Sequence, residues 1–341
     1  MTTNFDIEQP QALLQYLHDN GRLEPGEVPA LTVLSGGVSN RTVLVERSQG
    51  EAWVIKQALP KLRVEADWFS DPDRAHREAL GLIWLGRLAP AGSIPGFLFE
   101  DPQHHLVAMN AVAKPHENWK TRLLSGKLER DYVGQFGQLL GTIHRRARER
   151  WDEVAAVFAD RTFFQTLRLE PYYRFSAHRN PGAAKFLTEL IDDTLATRIT
   201  LVHGDYSPKN ILLHQGRLVL LDQEVIHFGD PAFDLGFSLT HLLSKAHHSR
   251  LQRADFLEAS HWFWENYKQA AGEWAAEAAL EARIVRHALA CLLARVDGRS
   301  PLEYLTNTER QRQREIVLSL MRDPPASLAA LVETFGTKLN E

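Results

Sequence analysis

The sequence predicts an α+β fold in two parts, and three observations support that prediction. The chain has 341 residues, enough for two compact parts that each bury a core. Short β-type runs separated by turn residues fill its first third, whereas helical periodicity prevails from about residue 119 onward. The composition shifts near residue 112, so we expect an N-terminal part over residues 1–112 and a helical C-terminal part over residues 113–341.

The N-terminal part is predicted to combine one sheet with two helices. The segment Ser48-Gln49-Gly50 joins two β-type runs in the manner of a hairpin. Asp71-Pro72-Asp73 provides a helix start ahead of apolar residues that recur at helical spacing. In order, we predict a helix over 10–20, strands over 30–34, 41–46 and 52–57, a helix after residue 73, and strands over 96–100 and 106–109.

The C-terminal part is predicted to be mostly helical, with one β-rich interval over residues 201–225. In that interval two apolar runs, 210–213 and 218–221, flank His214-Gln215-Gly216, which again indicates a hairpin. The predicted helices cover 130–150, 183–196, 233–246, 253–271, 277–296 and 306–321.

Charge and cysteine content exclude several classes of protein. With 39 Lys plus Arg against 43 Asp plus Glu, the net charge of −4 argues against a nucleic-acid or anionic-membrane binder. A single cysteine, Cys291, excludes an intramolecular disulfide framework and a cysteine-rich metal site. We find neither a signal-peptide pattern nor a run approaching the roughly 18 apolar residues of a membrane span. We therefore expect a cytoplasmic protein, monomeric or homodimeric, with no nucleic-acid or membrane partner.

The segment HGDYSPKN, residues 203–210, carries the most chemical information. Asp205 follows an apolar strand, Asn210 opens the next strand, and Asp222 ends the second strand of the hairpin. This arrangement can bring two carboxylates and an amide oxygen to one polar site. Such hard oxygen ligands suit Mg²⁺ that carries substrate phosphates. Taken singly, each residue is also compatible with ordinary turn chemistry.

The N-terminal part contains a second set of residues that fit phosphate chemistry. Ser35-Gly36-Gly37 lies between two strands, where small residues let backbone N–H groups approach phosphates, although a plain hairpin turn would look similar. Lys56 ends the apolar strand WVIK, and Glu78 in the following helix is placed to pair with it and orient it. Because both sets occur in one chain and in this order, a nucleotide site is the preferred interpretation.

HGDYSPKN together with LDQEVIHFGDPAFDLG resembles the motif of the aminoglycoside phosphotransferase and choline kinase superfamily. The resemblance extends from the glycine turn near residue 36 to the GDPAFDLG segment, and the helical remainder is compatible with it. It implies a protein-kinase-like fold with a small β-rich N-lobe and a larger helical C-lobe. It also implies ATP and Mg²⁺ as cofactors and a small-molecule hydroxyl as the phosphate acceptor.

The resemblance assigns roles to the residues of the C-terminal motif. Asp205 would be the catalytic base that accepts the proton of the substrate hydroxyl. Asn210 and Asp222 would hold Mg²⁺. Asp234 would brace the catalytic loop by accepting backbone N–H bonds, and His203 would pack or hydrogen-bond beneath the same loop.

The resemblance also assigns the nucleotide contacts of the N-terminal part. Lys56 would contact the α- and β-phosphates, steadied by Glu78, and Ser35–Gly37 would cover the phosphates. Val107–Asn110 would form the linker whose backbone reads adenine, with Met109 near the ring.

Differences between this sequence and the motifs of related kinases restrict the class of acceptor that the resemblance implies. HGD and DQE stand where protein kinases carry HRD and DFG, and an APE segment is absent, which disfavours a protein substrate. The Asp222-x-Glu224 pair resembles choline kinases and 5-methylthioribose kinases, and Glu224 either binds a second metal or faces solvent. Residues 63–79 and 118–126 also resemble methylthioribose kinases.

Candidate acceptor residues come from the helical part. Trp119, Tyr173 and Trp264 would form an aromatic site for an amino-alcohol, or else belong to the core. Arg295 and Asp297 would recognise a polar acceptor, or else form a buried ion pair. The acceptor is thus a sugar such as methylthioribose or an amino-alcohol. One alternative acceptor is an antibiotic, which the acidic helix residues after position 250 favour. Another alternative is that the protein binds nucleotide but is inactive.

Overall fold

A computed structural model describes residues 5–35, 37–64 and 67–341. The predicted phosphate contact Gly36 lies outside the described residues. The first lobe is a five-stranded antiparallel sheet in the order β1-β2-β3-β5-β4. Its strands are β1 Ala30–Val33, β2 Asn40–Glu46, β3 Ala52–Ala58, β4 Phe97–Asp101 and β5 Leu106–Asn110.

Apolar side chains that alternate along the strands form a hydrophobic core on one face of this sheet. Val43 and Val45 of β2 are buried on one face, opposite Ile55 and Trp53 of β3. Helix α1, Pro10–Asp19, covers this face with apolar residues that include Leu13 and Leu17. Every second strand residue is apolar and packs against the apolar face of the helix. These two sequence patterns are the ones that predicted this part of the fold.

Helix α2, Arg74–Leu88, packs on the other face of the sheet. Its Ala79 and Leu82 contact Val107 and Met109, which are buried in β5. The prediction that 107–110 forms the linker between the lobes is wrong, because these residues pair with both β3 and β4. The irregular connection begins after Asn110 and leads to β6, His116–Asn118. A boundary at residue 112 lies within that connection and stays a prediction.

The second lobe is mostly helical and contains the larger core. The helices over 130–149 and 253–271 pack so closely that a Cβ on Gly137 would collide with the carbonyl oxygen of Phe263. Among the described residues, no helix has the length and apolarity to cross a bilayer. The helices are α3 Trp119–Leu124, α4 Arg130–Glu149, α5 Trp151–Phe158, α6 Thr162–Phe164, α7 Phe175–Arg179, α8 Ala184–Ala196, α9 Ala232–His248, α10 Arg253–Ala271, α11 Ala278–Asp297, α12 Asn307–Arg322 and α13 Leu328–Asn340.

Short strands in the second lobe hold the segments that carry chemistry. β7 Thr200–Val202 pairs with β10 His227–Gly229, and β6 pairs with β8 Ile211–His214, which forms the predicted hairpin with β9 Arg217–Leu220. The loop after β7 and the loop after β9 therefore emerge side by side at the face of the second lobe.

A ten-residue π-helix, Gln165–Arg174, runs between α6 and α7. Such wide helices are rare beyond one turn and occur frequently at functional sites. Pro171 lies inside it without breaking it. The sequence prediction missed this element because neither the 3.6-residue period nor the proline marks a helix there.

Candidate active site

The loop between β7 and β8 is held in a strained turn. Gly204 adopts φ +78°, and a Cβ at this position would lie 2.9 Å from a methyl carbon of Val225. Only glycine meets both demands without displacement of the neighbouring chain. The turn takes the chain out of β7 and into the loop that contains Asp205.

Asp234, near the start of α9, anchors this loop from beneath. Its two carboxylate oxygens accept hydrogen bonds from the backbone N–H groups of His203 at 2.7 Å and Gly204 at 2.8 Å. His144 lies 3.3 Å from the same carboxylate. Burial alone would raise the pKa of Asp234, but the hydrogen bond and charge of His144 outweigh it and lower this pKa. The charged carboxylate is therefore the stable form.

Asp205 is nearly buried and its orientation is fixed by neighbours within the loop. The amide nitrogen of Asn210 donates to Oδ2 of Asp205 at 2.8 Å and to its backbone oxygen at 3.0 Å. The backbone N–H of Asp205 donates to Nδ1 of His203 at 3.2 Å. Burial lowers the pKa of His203, so its ring is neutral and can accept that bond.

Arg168 of the π-helix is a site residue that the sequence prediction missed. Its Nη2 lies 3.0 Å from Oδ2 of Asp205, and its Nε donates to the backbone oxygen of Gly204 at 2.7 Å. Burial would lower the pKa of Arg168, but the charge of Asp205 outweighs it and raises this pKa. The guanidinium thus fixes both the carboxylate and the turn that carries it.

Three elements meet at Lys56 on β3. Its Nζ lies 2.6 Å from Oε1 of Glu78 on α2 and 2.9 Å from Oδ1 of Asp222 in the loop after β9. The ion pair between Lys56 and Glu78 that the sequence predicts is therefore present. Asp222 adopts φ +69°, a left-handed conformation that Asp tolerates better than most residues. Lys56 links the two lobes through its carboxylate partners.

The charges around Lys56 depend on one another. Burial would lower the pKa of Lys56, but Asp222 and Glu78 outweigh it and raise this pKa. Burial raises the pKa of Glu78 to about 7 against the opposing charge of Lys56. Burial would also raise the pKa of Asp222, but the charges of Lys56 and Lys209 hold it below its ordinary value. Lys56 and Asp222 therefore stay charged.

Glu224 is buried against the first lobe rather than facing solvent. Nε of the fully buried Arg74 lies 3.2 Å from its Oε2, and the amide nitrogen of Asn40 lies 3.4 Å from the same atom. A metal-binding role for Glu224 stays a prediction, and the structure shows it as the partner of Arg74.

A divalent metal fits the oxygen atoms that remain at this site. Because the amide nitrogen of Asn210 is directed to Asp205, its Oδ1 is the atom left for a metal. Asp222 gives one carboxylate oxygen to Lys56 and keeps the other. Mg²⁺ is usually bound through one or two carboxylates together with substrate phosphates and water. Within the described ranges, no group of three or more His, Cys, Asp or Glu side chains is placed to hold a metal.

The turn predicted to cover the phosphates lies between β1 and β2. Ser35 and Gly37 are both exposed there. Their role as phosphate contacts stays a prediction, as does the adenine-binding role of the buried Val107 and Met109.

Comparison with known proteins decides the family. A model of the phosphotransferase enzyme family, APH, matches residues 30–280. The chain belongs to that family. The resemblance found in the sequence is thereby confirmed, and the matched range contains both the sheet and the catalytic loop of this phosphotransferase family member.

Relatives with assigned names are methylthioribose kinases. The chain is 26% identical over 241 residues to methylthioribose kinase of Erwinia tasmaniensis, covering 63% of this chain and 60% of that protein. It is 26% identical over 217 residues to methylthioribose kinase of Yersinia enterocolitica, covering 56% and 53%. The match thus spans little more than half the length of these relatives.

Solved structures share the fold. Amicoumacin kinase hAmiN, solved with AMP-PNP, Ca²⁺ and Ami, superposes with a TM-score of 0.59 at 14% identity over 94% of this chain and 96% of that one. A putative fructosamine-3-kinase from Thermobifida fusca gives 0.51 at 20% identity over 87% and 95%. The predicted two-lobed, protein-kinase-like α+β fold is confirmed.

The three aromatic residues predicted to bind the acceptor lie in the core of the second lobe. Trp119 and Tyr173 are fully buried, and the hydroxyl of Tyr173 lies 2.7 Å from Nδ1 of His287. Trp264 stacks on Tyr267. The structure does not bring these rings together with Asp205, and packing accounts for each of them.

Arg295 and Asp297 do not pair with each other. Asp297 accepts from Nε of Arg314 at 2.7 Å and from the amide of Asn180 at 3.0 Å. Nη1 of Arg295 donates to the backbone oxygen of Ser300 at 2.8 Å. Asp297 thus has a structural partner, whereas Arg295 belongs to a different set of residues, considered below.

Proposed function

We propose that this protein transfers the γ-phosphate of ATP to a hydroxyl group of a small molecule, with Mg²⁺ as the metal. The observation that supports it most is the meeting of Lys56, Asp205, Asn210 and Asp222 between the two lobes. Phosphoryl transfer needs positioned reactants and compensated charge more than covalent chemistry. Membership of a phosphotransferase family supports the same reaction.

Asp205 is the proposed base. Arg168 and Asn210 both bind its Oδ2, and within the described ranges no partner contacts Oδ1. Oδ1 is therefore the oxygen that accepts the proton of the attacking hydroxyl. The two bonds at Oδ2 hold the carboxylate in one orientation, which favours a near-attack arrangement of the substrate oxygen.

Lys56 and the turn at Ser35–Gly37 are the proposed phosphate contacts. Lys56 reaches the cleft with its charge preserved by Glu78 and Asp222. Asn210 and Asp222 would hold Mg²⁺, which when bound neutralises charge on the phosphates. Lys56 then orients the α- and β-phosphates relative to Asp205. The cytoplasm, which supplies ATP, is the compartment we propose.

A sugar of the methylthioribose type is the first candidate acceptor, and an amino-alcohol is the second. The named relatives support the sugar. An antibiotic with several positive charges is less well supported, because the acidic residues after position 250 lie apart on solvent-facing helix positions. Those residues are Asp255, Glu258, Glu265, Glu273, Glu277 and Glu281, the last of which is partly covered. An inactive protein would not need Lys56, Asp205, Asn210 and Asp222 together.

Transfer from ATP to a panel of hydroxyl compounds, including methylthioribose, tests the proposal. Asp205→Ala should lower product formation by about 10²–10⁴-fold while ATP binding persists, because the base is lost and the nucleotide contacts remain. Asp192→Ala, at an exposed position of α8, is the matched control and should keep full activity. Undiminished transfer by Asp205→Ala would refute the assigned base, and no product from any compound would refute the reaction.

A further inference from the structure

Four cationic side chains converge beside the catalytic loop, and we call them the basic cluster. Lys120 lies on α3, Lys209 in the catalytic loop, Lys245 on α9 and Arg295 near the end of α11. All four positive charges act on His241 of α9 and, after burial, help to hold its pKa well below its ordinary value. Nη2 of Arg295 lies 3.5 Å from Nε2 of His241, so this histidine marks the position of the cluster.

Lys245 is almost completely buried and lacks an ionic partner. Its Nζ donates to the backbone oxygen of His241 at 3.2 Å and lies 5.5 Å from the ring centre of Tyr304. No carboxylate among the described residues lies within 4.0 Å of it. Burial lowers its pKa to about 7, and the charge of Lys120 adds to that effect. A buried ammonium group in this state is unfavourable unless an anion joins it.

Arg295 is in a similar position. Its guanidinium lies 5.0 Å from the ring centres of both Tyr172 and Phe237, and its Nη1 bonds to Ser300. Its Nε is buried and has no hydrogen-bond partner in the described part of the chain. The hydroxyl of Tyr304 is likewise buried and unpartnered. Donors of this kind are costly to leave unsatisfied.

Among the described residues, Glu303 is the carboxylate that forms an ion pair with a member of the basic cluster. Glu303 pairs with Lys120, and its side chain is 66% exposed, so solvent screens it. Lys245 also lines a cavity of about 160 Å³ with Leu123 and Leu124, so its surroundings include open space. Among the described residues, the positive charges of Lys245 and Arg295 are therefore not paired with a carboxylate.

The basic cluster is connected to Asp205 through Tyr172 and Arg168. Arg168, which pairs with Asp205, lies 5.8 Å from the ring centre of Tyr172, and Arg295 lies 5.0 Å from the same ring. Lys209 is four residues beyond Asp205, and its charge acts on both Asp222 and His241. The cluster thus borders the region from which an acceptor hydroxyl would reach Asp205.

We propose that the acceptor carries an anionic group, a carboxylate or a phosphate ester, which binds to Lys245 and Arg295 while its hydroxyl faces Asp205. An anion supplies the counter-charge that both side chains lack and accepts from the free Nε of Arg295. This inference rests on the proposed function and refines its acceptor. Methylthioribose is uncharged, so an acidic sugar or hydroxy acid should bind more tightly than methylthioribose itself.

Matched pairs of probes separate charge from shape. We would measure binding of ribose and ribose 5-phosphate, and of glycerol, glycerate and glycerol 3-phosphate, by calorimetry without ATP. The anionic member of each set should bind at least about tenfold more tightly than the neutral one. The glycerate and phosphate arms distinguish the two kinds of anion. Equal binding of neutral and anionic members would overturn the inference.

Variants of the basic cluster test the assignment. Lys245→Met should remove the preference for the anionic probe and leave binding of the neutral probe unchanged, and Arg295→Lys should keep part of the preference. Lys185→Met, at an exposed position of α8, is the control and should behave as the parent protein. Preserved preference in Lys245→Met would overturn the assignment. If Lys245 is only structural, Lys245→Met should lower the melting temperature and leave the preference intact, which also overturns it.

Transfer assays with the same probes keep the two proposals apart. Anion preference in binding without any phosphorylated product overturns the proposed function and leaves the anion site standing. Transfer to neutral and anionic probes at equal rates overturns the anion site and supports the proposed function.

Discussion

Two buried lysines, one in each lobe, differ in their neighbours. Lys56 has two carboxylates within 2.9 Å, and its pKa lies above its ordinary value. Lys245 has a backbone oxygen and an aromatic ring, and burial lowers its pKa to about 7. The same side chain is thus fully charged in one lobe and only partly charged near pH 7 in the other.

The difference lies in which charges the protein itself supplies. Desolvation opposes the charge on both lysines, but at Lys56 the protein adds the compensating carboxylates, whereas at Lys245 its neighbours Lys120 and Arg295 are also positive. Lys56 is therefore charged and held by its ion pairs before any ligand binds. Lys245 acquires its full charge only when an anion is present.

Loss of Lys56 should give the largest change in stability. Lys56→Met leaves Glu78 and Asp222 close together without a counter-charge, so we expect the free energy of unfolding to fall by about 3–5 kcal/mol. Urea denaturation without nucleotide measures it. In Lys56→Met/Glu78→Gln one of the two carboxylates is neutralised, and part of the stability should return. A single variant as stable as the parent would contradict this view of Lys56.

Loss of Lys245 should act in the opposite direction and depend on pH. The pKa of Lys245 is about 7 when folded and about 10.5 when unfolded. Between these values the unfolded chain binds more protons, so this residue makes stability rise with pH. Below about pH 7 it therefore destabilises the fold by about 3–5 kcal/mol, a cost that disappears as pH approaches 10.5.

Lys245→Met removes this dependence. The variant should exceed the parent protein in free energy of unfolding near neutral pH, and the two should converge at alkaline pH. Paired urea denaturation curves across this range measure the difference, and effects of other groups cancel in it. A constant difference at all pH values would show that Lys245 is not the titrating group.

Arg168 positions the proposed base without touching the reactants. Arg168→Met should lower kcat by about 10–100-fold through misorientation of Asp205, with little change in KM for ATP. Arg168→Lys keeps the charge but not the forked contacts, so it should be intermediate. Arg174→Met, at an exposed position of the same π-helix, is the control. A change in KM alone would point to substrate binding instead.

The smallest effect is expected at Glu303. Glu303→Gln removes the carboxylate that pairs with Lys120 of the basic cluster, so binding of an anionic probe should strengthen about two- to threefold at low salt. The gain should vanish at high salt, because the residue is exposed and screened. Glu273→Gln, on the outer surface, should have no effect in the same titration.

The sequence predicted the regular elements and the Lys56 pair because both leave a pattern in the order of residues. Helical spacing located α4, α10 and α11 to within one or two residues, and strand alternation with the glycine turn located β2 and β3. Glu78 lies in the helix that follows the strand of Lys56 in the same lobe, so the order of residues was enough to predict that the two would pair.

Sequence patterns did not predict the contacts between segments that are far apart along the chain. Arg168 meets Asp205 only because a π-helix carries it there, and no periodicity marks such a helix. Trp119 and Tyr173 were candidates for the acceptor because aromatic residues serve both cores and binding sites, and only burial separates the two uses. The lack of a carboxylate partner at Arg295 among the described residues is a property of space, because Asp297 is only two residues away in sequence but binds Arg314.

Because of the π-helix, the direction of the Arg168 side chain depends on the number of residues in this segment. Removal of a single residue between Gln165 and Arg168 would let an ordinary α-helix form, and in an α-helix each residue turns the following side chains by about 100°. Arg168 would then point away from Asp205 although its identity were unchanged. A one-codon deletion there is consequently a more damaging genetic event than most replacements of the residues around it.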